Sequence, residues 1–196
     1  MPIIDREFFN VGVVKAPLSQ MISAFAGLFH PVLARPTTLT FPVQRYHAEA
    51  GDPPLVLWAP RCAPNLTAFM PHVSCGDGFV ASYASERFGL SLAQVRSTAK
   101  HHMEPINEFI AYPGGKTQGY RMVRAFKDDP RWDFCAIGTL LPFENERAYS
   151  AHFVRDRFTR PMLLDYLEHW GAPIRNPEFW QSAEQAVTLV RKYHGS

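Results

Sequence analysis

A chain that carries RWDFCAIGTLLPFENERAYSAHFVRDRFTRPMLLDYLEHWG at positions 131–171 has few ways to fold. The β-prone piece Trp132–Ile137 runs through a turn into two helical pieces. Trp132, Phe134, Phe143, Tyr149, Phe153, Phe158, Tyr166 and Trp170 punctuate the stretch from end to end. Aromatic rings at that density carry large apolar areas that must be covered by other elements. The segment therefore reads as a core-forming unit in which strand and helix are mixed. Arg155, Asp156 and Arg157, with Arg160 next, sit between the helical pieces and give it a charged edge.

Signals at the end of the chain are helical. Thr159 can cap a helix in which Leu163, Tyr166, Leu167 and Trp170 share a face, and Gly171 and Pro173 stop it. Asn176-Pro177 repeats the start signal. Phe179, Ala183, Ala186, Val187, Val190 and Tyr193 are then spaced for a last amphipathic helix.

Upstream, Phe8–Val14 is β-prone. Pro17 opens a helix with Leu18, Met21, Ile22, Phe25, Leu28 and Phe29 on one stripe, and Pro31 closes it. Thr38–Arg45 and Pro54–Ala59 read as strands joined through Ala48–Asp52, and Leu66–Val73 as a short strand broken by Pro71. Ser74–Gly78 is a turn before a helix, Phe79–Phe88, whose Val80, Tyr83, Ala84 and Phe88 face the core while Glu86 faces solvent. Leu90–Thr98 fits either a capped helix or a strand; the helix just before it has ended at Gly89, which favours the strand. Ile106–Tyr112 and Gln118–Phe126 flank Pro113-Gly114-Gly115, whose proline and glycine match a type II turn, and Asp128-Asp129-Pro130 leads into Trp132–Ile137. The expectation is a single α+β domain over residues 1–196. Its sheet is mostly antiparallel, its first half can form a split β-α-β sheet, and helices close its C-terminal end.

Composition narrows the function classes. The apolar share of 46% and charged share of 19% belong to a folded protein, and aromatics at 13% suit a core with a binding surface. A net charge of +2 with both signs mixed along the chain gives nucleic acid no basic patch, although Arg87, Arg96, Lys100, Arg121 and Arg124 are the residues such a site would use. Cys62, Cys75 and Cys135 are widely spaced and odd in number, unlike a disulfide framework, and MPIIDREFF carries no signal-peptide pattern. The apolar stretch from Leu18 to Leu33 is broken by Ser19, Gln20, Ser23, His30 and Pro31 and does not span a bilayer. The expected setting is a reducing cytoplasm, with no membrane partner.

Several groups of residues invite chemistry. Gly115-Lys116-Thr117 ends like a phosphate loop, but Ile110 stands where its first glycine belongs and a strand follows where a helix is required. On a strand, His102 and Glu104 of His101-His102-Met103-Glu104 share a face and could ligate Zn²⁺ or Fe²⁺, which makes a small metal-dependent hydrolase the alternative function; a third ligand at sensible spacing is missing. Cys75, with His72 near it, precedes a helix whose N-terminus would lower a thiol pKa, and Gly76–Gly78 could hold an anion there. The pairs Glu144/Glu146 and Asp128/Asp129 lack the separated environments that acid–base catalysis requires. Arg155, Asp156 and Arg157 could clamp a carboxylate, a phosphate or an acidic partner, or pair with one another and with Glu144 or Glu146. Trp170 and Trp180 read as core residues. No residue is assigned a catalytic role and no cofactor is expected.

Tyr120–Phe126, Arg131-Trp132-Asp133-Phe134, Gly138–Glu144 (GTLLPFE) and Arg155–Phe158, with the earlier Leu66–Pro71, resemble small bacterial immunity proteins encoded beside polymorphic toxins of the Rhs and type VI secretion kind. The likeness runs from about Trp58 to Gly171. It implies a cytoplasmic protein that binds and blocks one cognate toxin domain without catalysis. The edge formed by Glu144, Glu146, Arg155, Asp156 and Arg157 is the expected contact surface, because it sets both signs of charge among aromatics.

Overall fold

The computed structural model describes residues 8–26, 32–39, 55–70, 78–99, 102–114, 119–128 and 130–191. Strands β1 (Phe8–Val14), β2 (Val32–Pro36), β3 (Leu55–Trp58), β4 (Thr67–Met70), β5 (Leu92–Thr98), β6 (Ile106–Tyr112), β7 (Arg121–Asp128), β8 (Arg131–Ile137) and β9 (Val187–Arg191) form one sheet in the order β2-β9-β3-β4-β1-β5-β6-β7-β8. Every neighbouring pair is antiparallel. Helices α1 (Leu18–Ala26), α2 (Gly78–Phe88) and α3 (Arg160–Trp170) complete an α+β architecture, with 3-10 turns at Glu146–Ser150, Val154–Asp156 and Pro177–Trp180. Both β4 and β5 run antiparallel to the β1 between them, so they are parallel to each other and joined through α2. That is the split β-α-β unit expected of the first half.

Side-chain alternation sends the two faces of the sheet into different cores. On one face Val14, Leu57, Phe69 and Leu92 meet Leu18, Met21 and Phe25 of α1 and Ala81 and Ala84 of α2. On the other, Val11, Val13, Val95, Phe109 and Val123 meet Leu163, Tyr166, Leu167 and Trp170 of α3. The α3 stripe and its end at Gly171 (φ 111°) follow the sequence pattern; Thr159 occupies the cap position in extended backbone, but its side chain makes no capping hydrogen bond. Trp170 is buried, and Trp180 packs against the same core.

Gly12 marks a close approach between layers of side chains. A Cβ built there would lie 2.0 Å from Cζ of Phe69, whose ring is fully buried and has nowhere to move. Gly12→Ala should therefore cost about 1–3 kcal/mol by overpacking. Chemical denaturation checks this, and Phe69→Leu in the same chain should recover part of the loss.

Two expectations are corrected along the β2–β9–β3 side. Thr38 and Leu39 lie outside any strand, the rest of Thr38–Arg45 lies outside the described residues, and the strand in this region is instead β2, ending on Pro36. Proline is tolerated there because β2 is an edge strand. The last amphipathic helix is also overturned. Asn176 does cap a turn, accepting from Glu178 N at 2.9 Å, but the turn stops at Trp180 and Val187–Arg191 is strand β9 between β2 and β3. Over residues 81–88 of α2 the buried positions are Ala81, Ala84 and Ser85, whereas Phe88, expected in the core, is exposed; the Val80 side chain lies outside the described ones.

Candidate functional site

The sequence between β8 and α3 folds as two 3-10 turns because its aromatics alternate with polar residues too irregularly for a helix of any length. Tyr149 packs on Phe134 (ring centroids 5.2 Å apart) and Phe143 packs on Tyr166 (5.8 Å), which fixes the segment against the sheet and α3. The second turn, Val154–Asp156, carries the charged edge outward.

Arg155 and Asp156 are both about half exposed and stand 3.9 Å apart. The Arg155 guanidinium also lies 5.3 Å from the ring of Phe153, which is 57% exposed and flanked by His152 at 4.9 Å. Beside this pair opens a cavity of about 190 Å³, walled by Trp132 of β8, Thr98 and Asn107 at the facing ends of β5 and β6, and Thr159 and Arg160 at the start of α3. Its wall is held by a hydrogen-bond chain. Arg160 Nε donates to Ser97 Oγ (2.8 Å), Ser97 Oγ donates to Asn107 Oδ1 (2.7 Å), and Asn107 Nδ2 donates to the Phe158 carbonyl (3.3 Å). Chemically the cavity offers two guanidinium groups, one carboxylate and an indole, a set that suits a polar or acidic side chain better than an apolar one.

The other residues of the expected contact surface are placed differently. Arg157 is half-buried, donating through Nε to the Ala151 carbonyl (3.1 Å) with its guanidinium 5.9 Å from the Phe134 ring. Glu146 is exposed on the first 3-10 turn. Glu144 does not belong to the surface, because its side chain is fully enclosed. Arg121 Nε and Nη2 donate to its two oxygens at 2.8 and 2.7 Å, Leu141 N at 2.9 Å and the Tyr149 hydroxyl at 2.5 Å. A hydroxyl has one proton, so Tyr149, having donated to Glu144, accepts from the Tyr166 hydroxyl at 2.9 Å. Tyr166 in turn accepts from Asn145 N at 2.7 Å. Burial alone would raise the Glu144 carboxyl pKa, but the bonds from Arg121, Tyr149 and Leu141 outweigh it and hold the group below its ordinary value. Burial and the Glu144 carboxylate push Tyr149 far above the usual phenol range, so its proton stays in place. Glu144 ties β7, the 138–144 loop and α3 together, as an internal fastening.

The metal alternative meets local structure. His102 Nδ1 accepts the Glu104 N–H at 3.0 Å within the turn between β5 and β6, Glu104 is exposed, and His101 lies outside the described residues. Among the described residues no group of three or more His, Cys, Asp and Glu is arranged to hold a metal ion. Cys75, His72 and Lys116 also fall outside the described residues. Of the five basic residues a nucleic-acid site would use, Arg121 is buried on Glu144, Arg96 and Arg124 flank Glu108 on the sheet, and Lys100 lies outside the described residues. No helix among the described residues is long and apolar enough to cross a membrane.

Trp132, Thr98 and Asn107 were not legible as parts of one site. They come from three strands, and only the sheet register brings them together. No protein-family model, curated protein or solved structure matches this chain.

Proposed function

We propose that the chain is a cytoplasmic immunity protein, which binds a cognate secreted toxin domain of a polymorphic, type VI or Rhs-like system and neutralises it by occlusion, without catalysis. The observation that carries this reading is the half-exposed Arg155–Asp156 pair beside the outward-facing Phe153 at the mouth of the 190 Å³ cavity. An exposed aromatic next to an arginine and a socket is what an interface hot spot consists of, and the opposed charges select the partner and orient it. Glu146 and Arg157 extend the patch, whereas Glu144 supports it from inside.

The test is rescue of a bacterial host expressing the toxin domain encoded by the neighbouring reading frame. Wild-type chain should rescue. The Phe153→Ala/Arg155→Glu double variant should bind on the order of a hundredfold more weakly, with an unchanged melting temperature. Rescue that survives these changes would remove this surface from the interface, and a toxin domain that wild-type chain neither binds nor neutralises would end the immunity reading.

A further inference from the structure

β8 ends the sheet, and its outer margin is a template for another strand. The direction of its backbone groups follows from bonds elsewhere in the ladder. Lys127 N donates to the Pro105 carbonyl (2.9 Å), one step beyond the Ile106↔Phe126 pair, so Pro105 and Lys127 occupy a hydrogen-bonded position between β6 and β7. Bonded and non-bonded positions alternate along an antiparallel pair. On β7, Met122, Arg124, Phe126 and Asp128 therefore turn their backbone groups to β8, where they meet Ile137, Cys135, Asp133 and Arg131. The bond from Lys15 N to the Ser91 carbonyl (2.8 Å), carried across β5 and β6, gives the same phase. The N–H and C=O groups of Trp132, Phe134 and Ala136 then point away from β7. Among the described residues no backbone group bonds to them.

Native edges are blunted by proline, lysine, a bulge or brevity. β2, at the opposite end of the sheet, carries Pro36. β8 has none of these: it runs seven residues, RWDFCAI, in unbroken register with β7. Only an extended chain can match backbone groups set at strand spacing, and β8 itself does so when turned end for end. With Phe134 opposite Phe134 of a second copy, Trp132 and Ala136 fall opposite its Ala136 and Trp132, and every outward group of both strands is bonded. The side chains agree with that register. Bulky Trp132 meets the small, exposed Ala136, and the Phe134 rings pair across the axis. On the other face Arg131 meets the exposed Ile137 and Asp133 meets Cys135, so no like charges stand opposite each other. Sliding one copy by two residues one way sets Asp133 against Asp133. Sliding it the other way puts Trp132 beyond the end of the facing strand, at Gly138.

We propose that the chain pairs with a second copy of itself, β8 against β8 in antiparallel register about a two-fold axis beside Phe134, so that two sheets continue as one. The contact is isologous, with the same strand on each side. It uses the β8 backbone and is independent of the immunity reading.

Sedimentation equilibrium of the full chain measures the association, and amide exchange read by NMR in dilute and concentrated samples locates it. Wild type should pass from monomer to dimer below millimolar concentration. The amides of Trp132, Phe134 and Ala136 should exchange about tenfold or more slower in the dimer, whereas those of Asp133 and Cys135, bonded to β7, should be slow in both samples. Ala136→Pro removes an outward donor and no ladder bond, which an edge strand tolerates. It should weaken dimerisation by about tenfold or more, with the monomer's melting temperature close to that of wild type. If this variant fails to fold, the wild-type exchange pattern decides. A wild type that stays monomeric overturns the proposal, as does a dimer whose three outward amides exchange as in the monomer, or one that Ala136→Pro forms equally well. Amides of β8 that slow only when the toxin domain is added give the edge to that partner and overturn self-pairing. Failure to rescue a poisoned host bears on the immunity reading alone.

Discussion

Glu144→Ala should lower the stability of the fold by about 3–5 kcal/mol, the usual cost of leaving one member of a buried ion pair behind. The Arg121 side chain is 6% exposed and its Nη1 is already committed to the Gly138 carbonyl at 3.0 Å, so it cannot swing out to water when its carboxylate is removed. Leu141 N and the Tyr149 hydroxyl lose their acceptor in the same step. Glu144→Gln keeps the shape and part of the hydrogen bonding and should fall between. Urea denaturation of the three proteins checks the order, and a change within about 0.5 kcal/mol for Glu144→Ala would mean that the fastening is dispensable. The same group predicts a pH dependence. Its pKa in the fold lies below the ordinary 4.5. The stability it contributes is therefore complete above the unfolded-state pKa and is lost as pH falls through the lower folded-state value. Wild type should lose stability on acidification in that window more steeply than Glu144→Gln.

Trp58→Ala should cost a similar amount, about 3–5 kcal/mol. That corresponds to a fall of roughly 10 °C in melting temperature for a chain of this size. Trp58 is fully buried at the end of β3, its ring 6.2 Å from those of Phe179 and Trp180, and its Nε1 donates to the Phe179 carbonyl at 2.8 Å. Around it the 177–183 segment is stitched to 58–61: Arg61 N donates to the Gln181 carbonyl (2.9 Å) and Ala183 N to the Ala59 carbonyl (2.8 Å). Removal of the indole empties a site that several rigid neighbours surround, and leaves the Phe179 carbonyl unmet. Trp58→Phe separates the two effects, because it fills most of the volume and deletes only the donor. Equal melting temperatures for Trp58→Phe and Trp58→Ala would show that the hydrogen bond, not the packing, carries the contribution.

What the sequence disclosed and what it concealed divide by distance along the chain. β5 fitted a capped helix as well and was favoured as a strand only because the preceding helix ends at Gly89, whereas for β6, β7 and β8 turn residues and apolar alternation were enough to place the strands. The α3 stripe was clear for the same reason. The tail was misread because Phe179, Ala183, Ala186, Val187 and Val190 fit a helical period, while Val187-Thr188-Leu189-Val190, a run rich in β-branched residues, fits a strand equally well. Partners at the far end of the chain decided the matter: β9 fills the gap between β2 and β3. For the charged edge, local clustering of Arg155, Asp156 and Arg157 was visible, but Glu144 could not be told from Glu146. Alternation within a loop says nothing about burial, and Glu144 is internal only because Arg121, on another strand, waits for it. The Arg96–Glu108–Arg124 row was equally hidden, since it exists only in the register of three strands.

The position of β9 sets the order in which this chain can become itself. Among the described residues β2 has no other strand beside it, and β3 has only β4 until residues 187–191 arrive. A nascent chain leaving the ribosome can assemble β4 to β8 early, yet must carry an unclosed margin at β3 until residues 187–191 have been made. In that interval Leu55, Val56 and Leu57 are an invitation to stray strands, and the protein's yield in a cell should depend on how quickly translation delivers β9.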